Sequence, residues 1–308
     1  MKRFVSLLFP LIILGILLLN SQKVVAEQWR PVKGGINFGI SGMALIERKD
    51  NSLDFLIVHD NKGKDEGRLA IVTLKDKHQP EYFPFNLANG LNELYFGSDL
   101  EAVTAIPTAS SSFMALTSKG KVCYFRLGER KGESFLIKQF DLPNLPEKPN
   151  FEGFAIQEID GKLLAVWAER GSGEKAGIIY WGTLNLPSYK IELKGSKSLT
   201  VPWPNSPQLR HISDLKIDRS GVLFISSATD PGNDGPFTSA VYIAGVFVVN
   251  GNEVSFRENL DLFPLYRLDY HKVEAIELVP GANGGIIVGT DDENMGSWVY
   301  MPYSTNLY

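Results

Sequence analysis

Asn150-Phe151-Glu152-Gly153-Phe154-Ala155 lies near the middle of the chain, and an apolar run, Leu163-Leu164-Ala165-Val166-Trp167, follows it closely. The same phrase recurs on both sides. Asp99-Leu100-Glu101-Ala102-Val103 precedes Phe113-Met114-Ala115-Leu116, and Lys272-Val273-Glu274-Ala275-Ile276 precedes Gly285-Ile286-Ile287-Val288. Two further copies carry serine in place of glutamate: Ile40-Ser41-Gly42 ahead of Phe55-Leu56-Ile57-Val58, and Ile212-Ser213-Asp214 ahead of Val222-Leu223-Phe224-Ile225. The marked positions Ser41, Glu101, Glu152, Ser213 and Glu274 are 60, 51, 61 and 61 residues apart. A repeat of this length points to an array of like units rather than to one irregular domain.

Each unit reads as short strands rich in Val, Ile, Phe and Tyr, punctuated by Gly, Pro, Asn and Asp, with no helical period. The first four units hold four such strands and the fifth holds three. The extended segment Gln28-Trp29-Arg30-Pro31-Val32, before the first unit, can supply the missing one and close the ring without an open edge. The chain is therefore expected to be all-β, a five-bladed β-propeller of four-stranded blades over residues 27–308.

Residues 1–26 have another character. Lys2 and Arg3 open them, the stretch from Phe4 to Leu19 is apolar apart from Ser6, Pro10 and Gly15, and Val24-Val25-Ala26 sets small residues before Glu27. That is the layout of a secretory signal peptide, and it implies a secreted or periplasmic protein free of the membrane after cleavage. A retained anchor is the alternative, though the apolar run is short for a span. A net charge of −4 in 308 residues gives no reason to expect nucleic acid as a partner. The lone Cys123 excludes an internal disulfide and reads as a buried filler in an apolar strand. A monomer is expected.

In a propeller the first strand of each blade lines a central channel, so the five marked residues should ring one mouth. The second strands end at that mouth with His59-Asp60-Asn61-Lys62, Thr117-Ser118-Lys119, Ala168-Glu169-Arg170, Thr229-Asp230 and Asp291-Asp292-Glu293. Three glutamates converging on one axis repel each other unless a counterion joins them or their pKa values rise. Carboxylate and hydroxyl oxygens suit Ca²⁺, so Ser41, Glu101, Glu152, Ser213 and Glu274 are expected to bind calcium. Zinc would want histidine or thiolate. Alternatively, the serines and glutamates tie neighbouring blades together through backbone hydrogen bonds. His211 and His271 read as polar fillers near the mouth.

This arrangement resembles the soluble calcium-activated nucleotidases (apyrases), in which one such residue per blade surrounds a central calcium. Lys272-Val273-Glu274-Ala275-Ile276-Glu277 is similar to that family's last-blade segment, and Met43 to Gly63 to its first. The Glu-Ala and Glu-Gly phrases are also similar to phytase-like and gluconolactonase-like propellers. The resemblance implies a calcium-dependent hydrolase acting on a phosphoester, phosphoanhydride or lactone. Two departures stand out: the first-blade turn has His59 and Asn61 where the family has an aspartate and an arginine, and the third blade offers Arg170 beside Glu169.

On this reading Asp60 or Glu169 is the general base, and Lys62, Lys119, Arg170, Asp230, Asp291 and Asp292 contact a small molecule or glycan at the polar face. Six acids against three bases at that rim favour a neutral sugar, lactone or monoester over a nucleotide. A non-catalytic module, binding a glycan, peptide or protein of the cell envelope, is the other function class that a propeller can host.

Overall fold

The computed structural model of the chain describes residues 29–75, 78–85, 96–279 and 285–301. The expected signal peptide lies outside the described residues, among which no helix is long and apolar enough to cross a membrane. The strands assemble into five antiparallel sheets. Blade 1 runs β2 (Gly42–Lys49), β3 (Ser52–Val58), β4 (Leu69–Lys75) and β5 (Glu81–Pro84). Blade 2 is β6 (Leu100–Ala105), β7 (Ser112–Thr117), β8 (Lys121–Leu127) and β9 (Ser134–Asp141). In blade 3 come β10 (Phe151–Ile159), β11 (Lys162–Glu169), β12 (Gly177–Asn185) and β13 (Lys190–Leu199). Blade 4 holds β14 (Leu209–Ile217), β15 (Val222–Thr229), β16 (Thr238–Asn250) and β17 (Glu253–Glu258), with β18 (Pro264–Asp269) as a fifth strand. Blade 5 is β19 (Val273–Leu278), β20 (Ile286–Thr290) and β21 (Ser297–Tyr300), completed by β1 (Arg30–Lys33).

The first strands β2, β6, β10, β14 and β19 touch one another in that order, and β19 touches β2, so the ring closes. β1 pairs antiparallel with β21, Arg30 opposite Val299, as the unfilled place in the last unit predicts. Among the described residues β18 is the one strand outside the expected pattern. Strand β16 has 13 residues; β17 pairs with its second half and β18 with its first.

Five separate apolar clusters fill the gaps between neighbouring blades. Alternation along a strand explains why each second strand reads as an unbroken apolar run: successive side chains leave the sheet on opposite faces, and both faces are covered. In β11, Leu164, Val166 and Ala168 pack toward blade 4, while Ala165 and Trp167 pack toward blade 2. Truncating a buried aromatic such as Trp167, 1% exposed, removes about 3–5 kcal/mol in comparable cores.

Near the axis the first strands come close enough to restrict side-chain size. A Cβ on Gly42 would lie 2.7 Å from the Ala102 Cα of the next blade, and one on Gly153 would lie 2.8 Å from Leu215 Cγ. This explains the small residue after most marked positions. Blade 4 breaks the rule with Asp214, fully buried, whose carboxyl accepts from the backbone N–H of Leu215 at 2.7 Å and of Ile276 at 2.8 Å. Lys216 crosses the channel to donate to the Val103 carbonyl at 2.9 Å.

Candidate active site at the channel mouth

The recurring phrase is a β-bulge. In β6 the pairing jumps from Leu100 to Ala102, in β10 from Phe151 to Gly153, and in β19 from Val273 to Ala275. The residue skipped is Glu101, Glu152 or Glu274. In β14 the pairing jumps from Arg210 to Asp214, spanning Ser213. An extra residue in one strand of a pair re-aims its side chain out of the ladder, and such bulges concentrate beside functional sites. All five marked residues are buried: Glu101 is 8% exposed, Glu152 and Glu274 are 3%, and Ser41 and Ser213 are 1%.

Three cations reach these acids, and a fourth pairs beside them. From β14, Arg210 donates to Glu274 Oε1 at 2.5 Å and to Asp230 at the end of β15. Lys272 lies 3.3 Å from both Glu274 and Asp291 and also pairs with Glu293. Arg170 donates to Glu152 at 3.3 Å. The ammonium of Lys62 stands 3.0 Å from Asp99 and is mostly exposed. Asp99 also accepts from the Ser118 hydroxyl.

Burial and crowding set the protonation of the acids. Asp60 is pushed up to about 6, by burial first and then by Glu274. Glu152 is pushed up to about 7 by burial, against the pull of Arg210 and Arg170, with Glu274 adding to the rise. Glu101 itself is held well above the carboxylate range by burial, then by Glu152 and Asp60. Asp291 is held high in the same way, by burial and then Glu274. On Arg210 and Lys272 burial works against the charge, but the acids around them, Glu274 foremost, outweigh it and hold both cations charged.

Of the residues expected at the site, Asp60, Lys62, Glu101, Glu152, Arg170, Asp230, Glu274 and Asp291 lie in one another's contact or field, while Ser41 and Ser213 are buried at the equivalent positions of blades 1 and 4. Three others have different roles. Glu169 accepts from the Tyr180 hydroxyl at 3.0 Å, on the neighbouring strand. Asp292 is fully buried and all its contacts are structural: it accepts from the Lys272 N–H at 2.6 Å, from His271 Nδ1 at 2.5 Å and from the Thr290 hydroxyl at 3.1 Å. Lys119 is exposed. Both histidines expected as fillers behave as such: His211 bridges Val201 and Gly173, and His271 stacks on Trp29 at a centroid distance of 3.9 Å.

As a five-residue calcium centre the ring does not fit. Glu274 faces Arg210 and Lys272, and Glu152 faces Arg170, where the ion was expected to supply the positive charge. Among the described residues no three of His, Cys, Asp and Glu form a metal-ligand group.

Sequence reasoning passed over Arg210 and Lys272. Each lies just before a marked residue, but at minus three in one blade and minus two in the other, so no repeat position announces them. The available signal was chemical: a cation two or three residues ahead of a marked position, where a first strand begins.

No protein-family model matches the chain, and no curated protein does. Solved structures share its fold. An endo-1,4-beta-xylanase from Bacteroides thetaiotaomicron is 12% identical, with 87% of this chain and 92% of that one covered and a TM-score of 0.53. A structure described as a glycoside hydrolase is 12% identical, covering 89% and 64%, at 0.50. An exo-beta-1,3-galactanase from Clostridium thermocellum is 13% identical, covering 87% of this chain, at 0.49; the chain spans 59% of its length. The first two likenesses bear on the fold alone.

Proposed function

We propose that the protein is a hydrolase of glycosidic bonds, with Asp60 as the general base and the buried glutamates Glu101 and Glu152 as the proton-holding acid. The observation that carries this reading is the unequal environment of acids gathered at one mouth. Asp60 is only half-buried and ionises at about 6, before either glutamate of the pair. Glu152 keeps its proton to about 7, and Glu101 beyond the usual range. Cleavage of a glycosidic bond needs one carboxylic acid to protonate the leaving oxygen and one carboxylate to activate water or attack the anomeric carbon. Two carboxyls pushed apart in pKa supply that division of labour.

The glycoside-cleaving activities named for propellers of similar fold support a glycan over a nucleotide. Electrostatics point the same way. Each cation of the mouth already has a carboxylate partner, which leaves no clamp for a polyphosphate of the kind implied by the apyrase resemblance. An exported location fits the leader-like residues 1–26 and a polymeric substrate outside the cell.

Xylo-, arabino- and galacto-oligosaccharides, assayed with ADP and a phosphomonoester in Ca²⁺ and again in chelator, test this reading. A glycan turned over by the wild type and not by Asp60→Asn is the expected result. Turnover of ADP alone, dependent on Ca²⁺, would instead establish the nucleotidase reading. The burial of Glu101 and Glu152 favours a second reading, a glycan-binding module without turnover; saturable glycan binding with no product released would establish it.

A further inference from the structure

We propose that the protein forms a two-fold symmetric dimer in which the outer edge of β18 pairs antiparallel with β18 of a second copy, Leu268 opposite Leu268 and Arg267 opposite Asp269. The inference is independent of the hydrolase reading and takes the place of the monomer expected from the sequence.

β18 pairs with β16 along one side, Thr238 opposite Asp269 and Val241 opposite Tyr266. Among the described residues no strand takes its other side. Such an edge presents backbone N–H and C=O groups that another extended chain can complete. The outer strands of the other blades are blunted. β5 has four residues and ends in Pro84, and β1 has four with Pro31 among them. β9 carries Lys138 and a break in its register, and β13 carries Lys190, Lys194 and Lys197. β18 has six residues, no lysine, and its one proline at the first place. Its register is unbroken from Tyr266 to Asp269, and the apolar side chains of Leu265 and Tyr270 stand exposed at its two ends.

Charge selects the register. Alternation along the strand sets Arg267 and Asp269 on one face, and both are exposed. The Arg267 guanidinium lies 5.2 Å from the Trp203 ring centroid, and among the described residues neither Arg267 nor Asp269 is in an ion pair. A two-fold axis normal to the sheet opposes residues of the same face, so only every second register is open. Centred on Leu268, the pairing sets Arg267 against Asp269 of the second copy and repeats the contact across the axis. Centred on Arg267 or on Asp269, it opposes like charges. Opposite charges across a strand pair stabilise it, and like charges do the reverse. The edge is therefore complementary to itself in one register, as a contact between identical surfaces requires. β18 leads into Lys272 at the mouth, and its copy runs the other way, so the two mouths open in opposite directions.

Sedimentation velocity of the purified protein from about 1 to about 100 µM tests this, because the dimer population follows protomer concentration. The wild type should pass from one protomer mass to two over that range. Asp269→Arg, an exposed change, sets Arg against Arg and should weaken dimerisation at least about tenfold. Arg267→Asp should do the same by setting Asp against Asp. The two together return opposite charges to the same register and should restore the dimer, with the Tm of each variant checking its fold. A wild type that stays monomeric overturns the proposal, whatever the variants do, and leaves the edge to another occupant. So does a dimer that Asp269→Arg leaves intact, since another surface would then hold it. A folded double variant that associates no more tightly than the single ones overturns it too.

Discussion

Asp60 and Glu152 are both carboxyls raised above the free value by burial, Glu152 further than Asp60. The proposed mechanism needs Asp60 ionised and the Glu101–Glu152 pair protonated, so kcat/KM should rise as pH passes about 6 and fall beyond about 7. The two limbs report the coupled acids as a set. Asp60→Asn should remove the acidic limb and lower kcat by at least about 100-fold. Arg210 calls for a different test, because it neutralises two acids at once. Arg210→Met leaves Glu274 buried with one cation fewer, a change that costs about 3–5 kcal/mol when a buried pair is broken; a urea titration would read it as a lower midpoint at unchanged slope. The acids of this ring were legible because they recur at one position per repeat. The cations were not, since Gly39, Asp99, Asn150, His211 and Lys272 stand at the minus-two place and share no chemistry.

At the level of strands, a bulge delivers the marked side chain in blades 2 to 5, and outside blade 4 the small residue after it lets the blades meet. Gly153→Ala would set a methyl group 2.8 Å from Leu215 Cγ and 3.0 Å from the Leu215 backbone nitrogen. Backbone cannot step aside as a flexible side chain can, so a loss of about 1–3 kcal/mol is expected from overpacking, seen as a lower Tm. Most strands could be read from the sequence because burial on both faces writes an apolar run. β18 could not. Four strands already completed blade 4, and nothing local in Pro264-Leu265-Tyr266-Arg267-Leu268-Asp269 says that it returns to the unpaired half of β16. The bulges were likewise invisible as such; only their consequence, a glutamate or serine before a small residue, was on the page.

For the molecule as a whole, the buried acids make stability depend on pH in an unusual direction. Asp60, Glu152 and Asp214 titrate in the fold at about 6, 7 and 7, and in the unfolded chain near 4. Between those values the native state binds more protons than the unfolded one, so stability falls as pH rises. His59, lowered to about 4 by burial, pulls the other way below its unfolded value, but it is one group against several. Tm should therefore be lower at pH 7.5 than at pH 5.5, measurable by calorimetry in matched ionic strength. A Tm that climbs over this interval would contradict the burial of the ring. The five-fold count was readable because the repeat spacing is nearly uniform, and the closing strand because one unit came up short.

The clasp between β1 and β21 has a mechanical side. Arg30, where β1 begins, lies opposite Val299, near the end of β21, so the polypeptide enters and leaves blade 5 at the same corner of the sheet. Tension drawn through those two points would peel the pair apart one rung at a time, never loading all its hydrogen bonds together. A disc built to resist heat or denaturant from every side would thus have one place where a weak, steady tug opens it.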